Sequence, residues 1–86
     1  MPEISRFFGI IVAMYHGDHN PPHFHVRYGS ERAQLAIDDL RILAGHLSPR
    51  VRGLVVEWAS RHQDALRLDW ELAVTRQPLK PIEPLE

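Results

Sequence analysis

Four of the six histidines in this 86-residue chain fall within ten residues: His16, His19, His23 and His25. Imidazole has an ordinary pKa close to neutral pH, so such a cluster is equipped for proton transfer, and in its neutral form it ligates divalent metals. Asp18 lies among the histidines, and Arg27 follows two residues after His25. If this stretch runs as a strand, His23, His25 and Arg27 project from one face. His19 sits in the loop that feeds the strand, and Pro21 and Pro22 stiffen the approach, which lowers the entropy lost in ordering it.

Three readings fit these residues. In the first, His19, His23, His25 and Arg27 are catalytic and Asp18 and Arg32 assist binding. One imidazole takes a proton from a 2′-hydroxyl, another protonates the leaving oxygen, and an arginine stabilises the charge that develops on a phosphodiester. In the second, His19, His23 and His25, with Asp18 or His16, hold a divalent metal such as zinc, using a strand H-x-H pair and a loop ligand. In the third, the histidines are polar residues on a solvated sheet face. The spacing matches no specific metal signature, so the residues alone leave all three open.

The elements that must position this cluster read as follows. Phe7 to Tyr15 (FFGIIVAMY) is apolar on both alternating faces, as expected of one strand covered on both sides. His16 to Pro22 is a loop. Phe24, Val26 and Tyr28 alternate with His23, His25 and Arg27, a half-buried strand. Gly29-Ser30 fits a two-residue hairpin turn, which pairs Tyr28 with Glu31, Arg27 with Arg32, Val26 with Ala33, His25 with Gln34 and Phe24 with Leu35. Apolar then meets apolar on one face, an agreement that a one-residue slip destroys.

Asp38-Asp39 makes a second turn, and Leu40 to Leu43 is a short fourth strand ended by Gly45. Ser48-Pro49 reads as a helix N-cap followed by proline at the first helical position. Val51, Leu54, Val55, Trp58, His62, Leu66, Trp70 and Ala73 then keep a helical period to about Arg76, as one long helix or as two that bend near His62. Trp58 and Trp70 lie on the apolar stripe and are assigned to the core. The tail from Pro78 carries three prolines and should be extended.

Composition bounds the function from the other side. A single domain over residues 1–86 is expected, and at this length a chain buries only ~60–65% of its unfolded surface. The chain is 44% hydrophobic and 24% charged, with net charge −1, so bulk charge gives no attraction to nucleic acid or membrane. Nine arginines against one lysine favour geometric pairing with carboxylate or phosphate. With no cysteine, disulfides, thiolate metal sites and cysteine nucleophiles are excluded. No apolar run is long enough to span a bilayer and none has signal-peptide flanks, so a cytoplasmic protein is expected.

Five stretches together carry a resemblance: Pro2 to Ile10 (PEISRFFGI), Asp18 to Val26 (DHNPPHFHV), Val55 to Ala59 (VVEWA), Asp69 to Ala73 (DWELA) and Pro78 to Leu85 (PLKPIEPL). In this order they resemble a short bacterial family catalogued as domain of unknown function 4160, and the Asp18–His25 block is the most specific part. The resemblance implies Asp18, His19, His23, Phe24 and His25 as motif residues. It also implies a context: a small cognate partner from the family catalogued as domain of unknown function 2442, and a toxin–antitoxin pairing in which this chain is the toxin.

The expectation is therefore an α+β protein, with a four-stranded, mostly antiparallel sheet over about residues 5–44, a long C-terminal helix over about 49–76 and an extended proline-rich tail. Its expected role is the toxin of a type II toxin–antitoxin module acting on RNA or the ribosome through the histidine face. The alternative is a non-enzymatic metal-binding or partner-binding regulatory module.

Overall fold

The apolar segments build one sheet and two helices. The structure, a computed structural model, describes residues 2–85, so the two end residues of the expected domain lie outside the described residues. Five strands, β1 (Glu3–Phe7), β2 (Ile10–Ala13), β3 (His23–Tyr28), β4 (Glu31–Ala36) and β5 (Ile42–His46), form an antiparallel sheet in the order β1-β2-β3-β4-β5. Two helices follow, α1 (Pro49–Ser60) and α2 (Gln63–Val74). No helix among the described residues is long and apolar enough to cross a membrane.

The β3–β4 hairpin has the register that the alternation dictates: all five expected pairs are present, and His23 opposite Ala36 extends the ladder. Gly29 at the first turn position has φ 57°, as a two-residue hairpin of this kind needs.

Three expectations of the fold require correction. The sheet has five strands, because the run from Phe7 turns back on itself at Phe8-Gly9. Both residues have positive φ, 51° and 79°, which is the twist of a tight hairpin turn. Phe8 is exposed at the tip, and a bulky aromatic in that conformation conceals the turn from a propensity reading. Gly45 does not end the last strand; it lies inside β5 at φ 84°. A Cβ there would come within 2.2 Å of the Arg32 carbonyl oxygen, so only glycine lets β5 approach β4 this closely.

The long helix is likewise two. At 1.5 Å per residue, 28 continuous helical residues would reach about 42 Å, against a longest molecular dimension of 33 Å. The chain breaks at Arg61-His62, where amide bonds from Arg61 to the Trp58 carbonyl and from His62 to the Ala59 carbonyl tighten the last turn of α1. Gln63 starts α2 and donates its side-chain amide to the carbonyls of Ile37 (2.8 Å) and Asp38 (3.0 Å), tying the new helix to the β4–β5 turn. Ser48 and Pro49 begin α1 as expected, but Ser48 serves through its backbone, donating its N–H to the Glu31 carboxylate at 2.8 Å.

The core centres on Trp58, fully buried, whose ring meets Phe7 at 5.4 Å, Phe24 at 6.2 Å and His62 at 5.5 Å. Its indole N–H donates to the Glu83 carbonyl at 2.8 Å, so the same residue holds the C-terminal tail. The tail is strapped again where Ile82 N–H bonds the Ile4 carbonyl at 2.7 Å and where Lys80 N–H bonds Asp69 Oδ1 at 2.9 Å.

Asp69 is buried to 1% exposure, and its Oδ2 has no hydrogen-bond partner. Burial raises its carboxyl above the usual value, against the opposing effects of the Lys80 amide and ammonium. With a raised folded pKa, stability is greatest below the unfolded value and is lost as pH rises through the folded one. Asp69→Asn should therefore fold as well as wild type at neutral pH, with wild type gaining relative to it as pH falls toward about 4. Asp69→Ala strands the Lys80 amide and should cost about 1–3 kcal/mol in urea unfolding.

Candidate functional site

The loop between β2 and β3 is anchored from both sides before it presents Asp18. Gly17 N–H bonds the Ala73 carbonyl at 3.3 Å, and His16 Nε2 bonds the Gln77 carbonyl at 3.0 Å, so the end of α2 holds the loop. Asp18 then places one oxygen, Oδ2, 3.0 Å from His23 Nε2 and 2.9 Å from His25 Nε2. Its other oxygen accepts the His19 amide at 3.2 Å. Burial pushes the Asp18 carboxyl up, but the His25 hydrogen bond, the His23 charge, the His19 amide and the His25 charge outweigh it and hold it below the usual carboxylate value.

The two imidazoles differ. His23 was expected on the solvated face, but it is buried at 6% exposure because the Trp70 ring of α2 covers it, with ring centroids 5.4 Å apart. Its Nδ1 lies 2.8 Å from the Pro21 carbonyl. A carbonyl only accepts, so His23 Nδ1 carries a proton. His25 is partly exposed and meets the Tyr15 ring edge-on at 4.5 Å. His19 contributes its backbone to the cluster; its side chain is exposed and outside it. The residues brought together are thus Asp18, His23 and His25, the one group of three ligating side chains among the described residues whose donor atoms lie within 4.8 Å of one another.

His25 also lines a groove of about 260 Å³ on the sheet face opposite the helices, with Tyr15, Arg27, Arg32 and Gln34 among its walls. Strand register explains the arrangement. One row across all five strands runs Arg6, Ile11, Arg27, Arg32, His46, and the next runs Ala13, His25, Gln34, Ala44. Small residues in the second row keep the groove open. Arg27 and Arg32 face each other directly, a like-charged cross-strand pair that is unfavourable unless an anion lies between them. Among the described residues neither forms an ion pair, whereas Arg6 is held by Glu3 at 2.8 Å.

Tyr15 and Gln34 belong to this face and were not singled out from the sequence. Gln34 was in reach, since the hairpin register already set it opposite His25. Tyr15 ends an apolar run, which reads as core.

The family described as Domain of unknown function (DUF4160) matches residues 9–71. No curated protein and no solved structure matches the chain. The match covers well over half of the chain and contains Asp18, His23, His25, Arg27 and Arg32, so the chain belongs to this family.

The geometry separates Asp18 from His19. Asp18→Ala removes the shared acceptor of a buried histidine and should cost about 1–3 kcal/mol. His19→Ala should stay within about 0.5 kcal/mol of wild type. Urea unfolding of the two variants measures the contrast, and equal losses would mean that Asp18 does not organise the cluster.

Proposed function

We propose that this DUF4160 protein is the toxin of a bacterial toxin–antitoxin pair and that it acts on RNA along the helix-free face of its sheet. The observation that carries the reading is the facing pair Arg27 and Arg32 in a groove whose next row holds His25. Two guanidiniums across adjacent strands, neither in an ion pair among the described residues, make a seat for a phosphate, which accepts their planar forks. His25, oriented by Asp18 and lining the same groove, supplies the imidazole for proton transfer in this reading. Arg27 and Arg32 stabilise the charge that builds on the phosphate oxygens.

Burial removes His23 from contact with substrate and makes it a positioning residue, which narrows the expected catalytic pair to one imidazole at the surface. The near-neutral net charge is compatible with this role because two arginines, Arg27 and Arg32, stand directly opposite each other in one row of the sheet. The cognate antitoxin, a small protein of the family catalogued as domain of unknown function 2442, neutralises the toxin by covering the groove. The groove is somewhat below the ~300–1,000 Å³ of small-ligand pockets, and its open form suits one segment of a longer chain.

Induced expression with and without the neighbouring gene tests the proposal through growth arrest. Wild type should arrest growth and the partner should relieve it. His25→Ala should lose roughly 10²–10⁴-fold in RNA cleavage rate while circular dichroism shows an intact fold. Arg27→Ala with Arg32→Ala should weaken RNA binding and lower its salt dependence. If folded His25→Ala arrests growth as wild type does, this face is not the active site. If wild type causes no arrest, the toxin reading fails and a partner-binding regulatory module replaces it.

A further inference from the structure

The contacts of His23 set a requirement that a neutral imidazole alone does not meet. Its Nδ1 proton is committed to the Pro21 carbonyl at 2.8 Å. In a neutral imidazole the other nitrogen, Nε2, is then a lone pair. That lone pair faces Asp18 Oδ2, also an acceptor, at 3.0 Å in a buried environment. Two acceptors at that distance are reconciled either by a second proton on His23 Nε2 or by a bound cation between them.

His25 sharpens the requirement. Its Nε2 aims at the same Asp18 oxygen from 2.9 Å, and the two imidazole rings, with centroids 5.1 Å apart and tilted by 57°, converge on that point. Two imidazole nitrogens and one carboxylate oxygen thus meet around a single locus. Each is held from behind: His23 by Pro21 and the Trp70 ring, His25 by its place on the central strand and the Tyr15 ring, and Asp18 by the His19 amide.

We propose that Asp18, His23 and His25 bind one divalent transition-metal cation of the zinc class. A metal-ligating histidine characteristically donates its distal N–H to a carbonyl, which fixes its tautomer, and the His23–Pro21 bond is of that kind. Two nitrogens with one oxygen suit zinc, cobalt or nickel better than magnesium or calcium, which prefer oxygen alone. Three protein ligands leave a four-coordinate ion one position for water. His25 joins the locus to the groove, so a water on the bound ion would have access to the sheet face that carries Arg27 and Arg32. The ligand set differs from the one read from the sequence: His19 gives way to Asp18. The inference stands on the geometry of the three side chains and holds whether or not the protein is a toxin.

Untagged protein, stripped with chelator and dialysed, is titrated with Zn²⁺ by calorimetry, and with Co²⁺ by visible absorption. One equivalent should bind, and Co²⁺ should give the intense d–d bands of a four- or five-coordinate site. His25→Ala and Asp18→Ala should each weaken Zn²⁺ binding by at least about 10–100-fold, while His19→Ala keeps wild-type affinity. Because an Asp18 variant can unfold, ¹⁵N spectra of wild-type imidazoles provide a second reading: Zn²⁺ should shift His23 Nε2 and His25 Nε2 and leave His23 Nδ1 protonated. The proposal is overturned if stoichiometric Zn²⁺ binding is absent at about 100 µM, near −5 to −6 kcal/mol of binding free energy. It is equally overturned if His19→Ala loses as much affinity as His25→Ala, or if His23 Nε2 keeps a proton of its own when Zn²⁺ is added. None of these readouts involves growth arrest or RNA, so failure here leaves the toxin test unaffected.

Discussion

Trp58 is the residue on which the arrangement turns. Its ring is the largest fully buried side chain and is wedged against Phe7 of β1 and Phe24 of β3, while its indole N–H reaches the Glu83 carbonyl of the tail. One side chain thus joins α1, two non-adjacent strands and the C-terminal strap. Burying such a ring contributes several kilocalories per mole, of the order lost in a ~3–5 kcal/mol aromatic-to-alanine change. It also commits the apolar face of the sheet to the helices. What remains is the opposite face, and there the register alone decides which side chains stand together.

That division explains why the groove is polar though the chain as a whole is near-neutral. Side chains alternate along each strand, so the burial of Val12, Phe24, Val26 and Leu35 forces Ile11, His25, Arg27 and Gln34 outward. The facing arginines follow from the hairpin register and cannot be separated without moving Val26 off Ala33. The unfavourable charge pair and the favourable core are therefore one structural decision. At the other end of β3, Asp18 is brought to the histidines by a loop anchored by the Gly17 amide on the Ala73 carbonyl of α2 and by the His16 ring on the Gln77 carbonyl just beyond it.

How much of this could be read from the sequence varied with how local its cause was. The β3–β4 hairpin was legible to the residue because turn chemistry and alternation agree over Phe24 to Leu35. The helix period was legible and so was the place of a bend near His62, but not the choice between one helix and two: no glycine or proline marks Arg61-His62, and the break is held by Gln63 bonding a turn 25 residues away. The β1–β2 hairpin was hidden because Phe8 occupies a backbone region that side chains of its kind rarely adopt. Asp18, His23 and His25 were all named in advance. Their mutual geometry was not, since it depends on Trp70 covering His23 and on the Pro21 carbonyl meeting its ring. His19, equal to them on spacing, is set apart only by where its side chain points in three dimensions.

The connectivity of the sheet also governs when the cluster can come into being. Every strand pairs with its neighbour in sequence, so the strand pairings are more local than in a sheet with crossover connections. The groups that seat the Asp18 loop and cover His23, namely Trp70, Ala73 and Gln77, lie far downstream and arrive late in synthesis. The arginine row needs only the pairing of neighbouring strands, whereas Asp18, His23 and His25 converge only with α2 in place. The groove and the cluster of Asp18, His23 and His25 thus depend on different parts of the chain, the cluster on the last helix as well as on the sheet.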